Sequence, residues 1–538
     1  MKSKLFKRLL AVALTLSMVL CLTACISGPS YPEGDYDFST TGTTLRKPGG
    51  SIFDDDDDDD IGNSGNTDTD ASDDTLVQAS QLSDPNLRYV MVYNPKVYDE
   101  YATFDRSALK IGALGAQIDV EANRADGLET TPPFDSISQL DWFKDFPKDV
   151  ELDGDRADPM GINYKKGDTH DFYYSSRYNV NTRQKGTFTC VYSGEHCHIW
   201  TIDPTISATD INDLGTEFDR KVYQTVVNTF GKARFVGETG KVNLLLYDMQ
   251  DTLGGYFAPR DLFTEAELPM VGLSGMDCNT GHAVVHINVD FLRGNEANRR
   301  WVKGVMAHEF QHLVNFTPFF DTVNASSMNS WLNESFSGYI EMVLYPTAMQ
   351  DGDRYNLYHR SNLVRNGQSL YNFNTSYSDI GVYGSVFYFS QYLEKMAGKN
   401  IFSQILTYWR ESYSSTLSTS EALAESVPDS LYKKIDDSIN YDALRLSFAS
   451  ESDEWMSKLT LNFYLSTLAK GDNVSEFSHI NQTALLYDSI DSANIEGGGR
   501  VILALSGNTF DIPSGSDSGL IYIGLDKNFQ PITEFVYK

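Results

Sequence analysis

The chain has 538 residues, 41% of them hydrophobic, and a formal net charge of -31. That length supports more than one real core, and such acidity argues against a nucleic-acid backbone as partner, because binding phosphates needs a basic face. Tyr 31 and Phe 30 predict an aromatic-rich interior.

Residues 1–25 read as an address. Lys2, Lys4, Lys7 and Arg8 precede an apolar stretch, Leu9 to Leu22, that is too short and too early for a comfortable membrane span. It ends in Leu22-Thr23-Ala24-Cys25. This tetrapeptide resembles the bacterial lipobox, in which the cysteine is acylated and becomes the new N-terminus. The resemblance implies an exported protein, held to a cell membrane or cell surface through lipid on Cys25. More than one acyl chain is needed for firm anchoring. Residues 26–85 are predicted to be a disordered acidic tether. They hold Pro29, Pro32 and the run Asp54 to Asp60, and they carry too little apolar surface to fold.

Residues 86–205 predict a β-rich N-terminal domain. Tyr89-Val90-Met91-Val92-Tyr93, Asp171-Phe172-Tyr173-Tyr174, Phe188-Thr189-Cys190-Val191-Tyr192 and His198-Ile199-Trp200-Thr201-Ile202 are short aromatic or β-branched runs. Cys190, Cys197 and Cys278 are an odd set, so at most one disulfide forms among them. If Ser193-Gly194 is a two-residue hairpin turn, Cys190 and Cys197 face each other and can be bridged; two buried thiols are the alternative. His196 and His198 read as hairpin side chains rather than metal ligands.

Residues 206–437 change style. Asp210 to Phe230 has helical periodicity, and Val242 to Tyr247 reads as a buried strand. His282 to Asp290 reads as another strand, with His282 and His286 on one face. Trp301 to Phe316 is an apolar helix that contains His308-Glu309-Phe310-Gln311-His312. Residues four apart share one helix face, so both imidazoles reach one ion, zinc being the usual choice for nitrogen ligands in a hydrolytic site. Glu309 stands beside that ion, where it can take a proton from an activated water. Two imidazoles and a carboxylate in a buried helix are costly without a partner. A second amphipathic helix, Trp331 to Glu341, puts Glu334 22 positions after His312, close enough for a carboxylate to reach the open side of the metal.

H-E-x-x-H followed by W-L-N-E-x-x-x-x-Y-x-E resembles the gluzincin metallopeptidases. Within them, His308-Glu309-Phe310-Gln311-His312 with Trp331-Leu332-Asn333-Glu334 is most similar to the hyicolysin-type secreted bacterial peptidases, over about Val242 to Gly398. The resemblance implies one catalytic zinc ion on His308, His312 and Glu334, with Glu309 as general base. Glu341, two turns beyond Glu334, is a candidate acceptor for the outer N–H of a ligand histidine. Thermolysin-like relatives place an Asp four residues after the Glu ligand, and here that position is Gly338. The family also uses a downstream Tyr or His to stabilise the oxyanion. Tyr383 is the first candidate, then His359 and Tyr377. In this superfamily the strand before the zinc helix edges the cleft and pairs with extended substrate, which assigns that part to His282 to Asp290.

Residues 438–538 predict a mixed helix and strand C-terminal module. The expected class is therefore α+β: the β-rich N-terminal domain, a zincin-like catalytic domain over 206–437, and that module. The expected activity is zinc-dependent hydrolysis of extended protein or peptide substrates by an endopeptidase. A zinc aminopeptidase is the alternative within enzymes, but Gly275-Met276-Asp277-Cys278-Asn279 does not match the G-x-M-E-N segment that grips a free amine. A catalytically inactive surface-binding lipoprotein, such as an adhesin, is the alternative outside them.

Overall fold

The structure is a computed structural model. It describes residues 80–97, 101–104, 163–175, 183–231, 241–249, 254–269, 274–293, 296–316, 328–346, 358, 362–371, 382–411, 418–442, 444, 446–468, 485–487, 493–514, 516, 519–533 and 536–537. The strands in chain order are β1 (Gln81–Ser83), β2 (Tyr89–Tyr93), β3 (Tyr101–Phe104), β4 (Thr169–Tyr174), β5 (Gln184–Ser193), β6 (Cys197–Thr201), β7 (Val242–Tyr247), β8 (Gly255–Phe257), β9 (Val284–Asn288), β10 (Ala493–Glu496), β11 (Arg500–Ala504), β12 (Thr509–Asp511), β13 (Ile521–Leu525) and β14 (Val536–Tyr537). The main helices are α1 (Ala208–Glu217), α2 (Tyr223–Phe230), α3 (Glu296–Phe316), α4 (Ser330–Leu344), α5 (Val382–Ala397), α6 (Ile401–Glu411), α7 (Thr419–Ser426), α8 (Asp429–Asp436) and α9 (Glu451–Leu468). The expected α+β class is met.

A six-stranded sheet in the order β4-β5-β6-β7-β9-β8 positions the candidate site. β4, β5 and β6 pair antiparallel, β6, β7 and β9 pair parallel, and β8 folds back antiparallel on β9. β7 (VNLLLY) and β9 (VVHIN) are buried along their whole length, as strands covered on both faces must be. One face (Leu244, Leu246, Val285, Ile287) joins the main core with Val302, Met306, Phe310 and Leu313 of α3. The other (Leu245, Tyr247, Val284) packs with Tyr164, Phe172, Phe188, Trp200 and Tyr256.

Several boundaries differ from those read in the sequence. The predicted break at residue 205 is no sheet boundary, because β6 and β7 pair in register across it. β2 sits in a second sheet, β11-β2-β13-β14, between two C-terminal strands. Its run YVMVY is buried nearly throughout, and only long-range neighbours can cover both its edges. The predicted N-terminal domain thus gives strands to three different sheets, since β3 pairs with β10 in a sheet of its own. β1, expected inside the tether, pairs with β12 and buries Leu82. Residues 1–79, including Cys25 and the Asp run, lie outside the described residues.

The thiols of Cys190 and Cys197 are free and buried. The turn is wider than two residues: Gly194 N donates to Cys197 O at 2.9 Å, and a register shift between Cys190 and Tyr192 sets Cys190 opposite Trp200. The two side chains consequently enter different cores, Cys190 on one sheet face and Cys197 on the other. Alkylation after denaturation without reductant should label Cys190, Cys197 and Cys278; a Cys190–Cys197 cross-linked peptide in a non-reducing digest would contradict this packing.

Candidate metal centre

The core-facing stripe of α3 fixes its rotation, and that rotation presents His308 and His312 to α4. The two rings stand 4.6 Å apart at 82°. Across from them, Glu334 of α4 puts Oε2 3.1 Å from His308 Nε2 and Oε1 3.3 Å from His312 Nε2. All three side chains are buried, and their donor atoms lie within 4.8 Å of one another. The outer nitrogens have polar neighbours as well, His308 Nδ1 by proximity to a carboxylate without a hydrogen bond of good geometry. His308 Nδ1 is 3.0 Å from Glu341 Oε1. His312 Nδ1 is 3.1 Å from Ser337 Oγ, whose own proton goes to Gln311 Oε1.

Burial opposes charge on His308, yet Glu341 and Glu334 beside it outweigh that and push it up to about 10. Burial would raise Glu334, but His312 and His308 hold it well below the usual carboxylate range. Glu309, fully enclosed beside the pair, is raised by burial, and the two imidazoles offset only part of this. Its Oε2 makes no hydrogen bond, nor does Glu334 Oε2 make one of good geometry. Removing one partner of such a buried ionic group typically costs about 3–5 kcal/mol, so the centre needs its positive charge. Two imidazoles and one carboxylate, converging with an orphaned carboxylate oxygen, fit the donor set that zinc takes in open sites. A dication then replaces protons that otherwise balance the carboxylates.

The structure brings His308, His312, Glu309, Glu334 and Glu341 together. Ser337 escaped the sequence reading, although it lies three residues after Glu334 and so shares its helix face. At Gly338 a Cβ would stand 3.3 Å from Phe387 Cδ2 and 3.6 Å from Phe387 Cα, so α4 and α5 are in close contact there and Phe387 would have to give by a few tenths of an ångström. Tyr383 is buried in the first turn of α5, one turn before Phe387. His359 and Tyr377 lie outside the described residues. His196 stacks on Tyr223 at 3.7 Å, His198 packs beside Tyr164 and Trp200, and His286 sits on the sheet face away from α3. His308, His312 and Glu334 are the group of metal-ligand spacing found among the described residues.

The cleft edge differs from expectation. β9 is interior, and β8 covers its outer side. β8 was not legible as a strand because it is three residues long and entered through Gly254-Gly255. Gly255 is required by contact: a Cβ there would lie 2.5 Å from His286 O, 2.8 Å from Val305 Cγ1 and 3.4 Å from Glu309 Cγ. β8 therefore runs directly beside the turn of α3 that carries Glu309.

No protein-family model matches the chain. Over 258 residues it is 28% identical to the neutral metalloprotease ShpI of Staphylococcus hyicus, covering 46% of this chain and 55% of that protein. The chain thus spans about half the length of the curated relative it matches. Among solved structures, native yeast LTA4 hydrolase aligns with a TM-score of 0.33 at 19% identity, over 48% of this chain and 39% of that one. The same yeast hydrolase in complex with bestatin aligns with a TM-score of 0.30 at 17% identity, over 50% and 39%. The metallopeptidase resemblance read from the two motifs is borne out by ShpI.

Zinc binding should compete with protons. His308, raised to about 10 without metal, carries a proton throughout neutral pH that zinc must displace. The apparent zinc dissociation constant should therefore fall roughly tenfold per pH unit between pH 6 and 8; a pH-independent constant in calorimetry would contradict the geometry. Ser337→Ala should weaken zinc binding by about 10-fold or more, read in the same titration.

Proposed function

We propose that this chain is a zinc-dependent endopeptidase that cleaves extended peptide segments, exported and lipid-anchored through Cys25. The observation that carries the reading is the convergence of His308, His312 and Glu334 beside the buried carboxylate of Glu309, whose Oε2 makes no hydrogen bond. Likeness to a metalloprotease over 258 residues supports it. The anchor rests on the N-terminal sequence alone; among the described residues no helix is long and apolar enough to cross a membrane.

His308, His312 and Glu334 would hold the ion, which when bound supplies Lewis acidity toward water and toward a carbonyl oxygen. Glu341 and Ser337 would each fix one imidazole by its outer nitrogen, leaving the Nε2 lone pairs directed inward. An extended substrate would add a strand to the outer edge of β8, on which no strand lies among the described residues. That places its backbone along the turn bearing Glu309. Water oxygen adds to the carbonyl carbon as Glu309 takes the water proton. Glu309 then delivers that proton to the leaving nitrogen as the C–N bond breaks. Tyr383, in the helix packed on α4, is the proposed donor to the oxyanion.

The edge strand also bears on the choice between endopeptidase and aminopeptidase. Gly254-Gly255-Tyr256-Phe257 offers no carboxylate to a free amine. Asn279, from the segment tested for that role, is instead tied to Asp261 and Tyr173.

Glu309→Gln should lower kcat on a casein-type substrate by about 10²–10⁴-fold while retaining one zinc per chain by metal analysis. Removing zinc with a chelator should abolish hydrolysis, and returning zinc should restore it. Full activity in Glu309→Gln, or indifference to the chelator, would sink the assignment; substrate binding without hydrolysis and without a chelator effect would favour the surface-binding alternative.

A further inference from the structure

β8 is an improbable platform on its own. It has three residues and pairs with β9 through Gly255↔Ile287, Tyr256↔His286 and Phe257↔Val285. Strands this short are marginal without side-chain anchors. Gly255 has no side chain, and Phe257 alone fastens the strand toward α3. Behind it, on the sheet face away from the metal centre, lies a buried polar chain. The Tyr256 ring stacks on His286 at 4.1 Å and 8°. The Tyr256 and Tyr247 hydroxyls are 3.0 Å apart. His286 Nδ1 is 3.2 Å from Tyr247 Oη, and its Nε2 is 3.4 Å from Asp261 Oδ2. Asp261 sits in the 3-10 turn Pro259–Leu262 that follows β8. Arg183 Nη1 donates to Asp261 Oδ1 at 2.5 Å, with neither side chain exposed. Asn279 donates to Asp261 from its backbone at 2.9 Å and from its side chain at 3.1 Å. Asn279 also bonds both backbone groups of Tyr173 in β4.

A buried ion pair contributes little net stability, because desolvation offsets the attraction; its best-attested use is to specify one arrangement. Here the arrangement specified is the height and tilt of β8. Tyr256 is gripped from behind by ring stacking, and the turn after the strand is clamped at Asp261. None of these groups faces α3, so none has a part in the hydrolytic step.

We propose that the Arg183–Asp261–His286–Tyr256 chain positions edge strand β8 for pairing with extended substrate, making His286 and Tyr256 positioning residues for affinity rather than for chemistry. This rests on the endopeptidase reading above.

His286→Leu removes the stack and both imidazole contacts while leaving Arg183 and Asp261 paired. On a ten-residue internally quenched peptide it should raise KM about tenfold, with kcat within twofold and zinc still one per chain. A blocked dipeptide amide, too short to pair along β8, should show an unchanged KM. Backbone deuterium exchange in residues 254–258 should quicken at least tenfold, with no change in α3. Tyr256→Phe, which deletes one hydroxyl, is the milder check and should raise KM for the long peptide two- to threefold. If His286→Leu does not fold, Tyr256→Phe decides. Unchanged KM for the long peptide in the folded variants overturns the proposal, and so does an equal loss on both substrates or faster exchange throughout. A wild-type protein that binds zinc and cleaves neither substrate instead overturns the peptidase reading itself.

Discussion

A carboxylate held between two imidazoles, all three out of water, is the constraint around which the described structure is arranged. Glu334 faces both Nε2 atoms within 3.1 and 3.3 Å. Such a group tolerates neither loose packing nor the loss of a partner, since each uncompensated buried charge costs several kcal/mol. α3 and α4 must therefore keep their rotation and spacing. Aromatic side chains see to this on both helices: Phe310 meets Phe218 and Tyr223, and Phe336 and Tyr339 meet Phe402.

Close helix packing also explains how the outer contacts of the centre are distributed. Gly338 packs closely on Phe387 and has no side chain to offer the centre. The two supporting groups stand on either side of it along α4: Ser337 toward His312 and Glu341 toward His308. The supports differ in charge. A carboxylate stands beside His308 and a neutral hydroxyl beside His312.

The sheet joins this centre to a second buried assembly on its opposite face. Successive residues of β9 alternate, with Val285 and Ile287 under α3 and His286 toward Asp261. Period-two geometry thus lets one short strand serve two purposes. Its front supports α3, and its back anchors β8. The candidate metal centre and the edge strand β8 consequently lie on the same sheet.

The sequence by itself determined the elements whose information is local. Helical spacing put His308 and His312 on one face, apolar periodicity marked α3, α4 and β7, and the W-L-N-E segment singled out Glu334. Those patterns depend on the pitch of a helix or the pleat of a strand, which neighbouring residues fix among themselves. Tertiary structure alone decided the rest. It set β2 between β11 and β13, hundreds of residues away. It put β8 at the edge where β9 was expected, turned Cys190 and Cys197 into separate cores, and set Ser337 against His312. Each of these turns on which distant surface covers an edge or fills a gap, and no spacing along the chain encodes that. Sheet edges are closed by long-range pairing, and side-chain partners are chosen by packing density. Both are properties of the assembled layers.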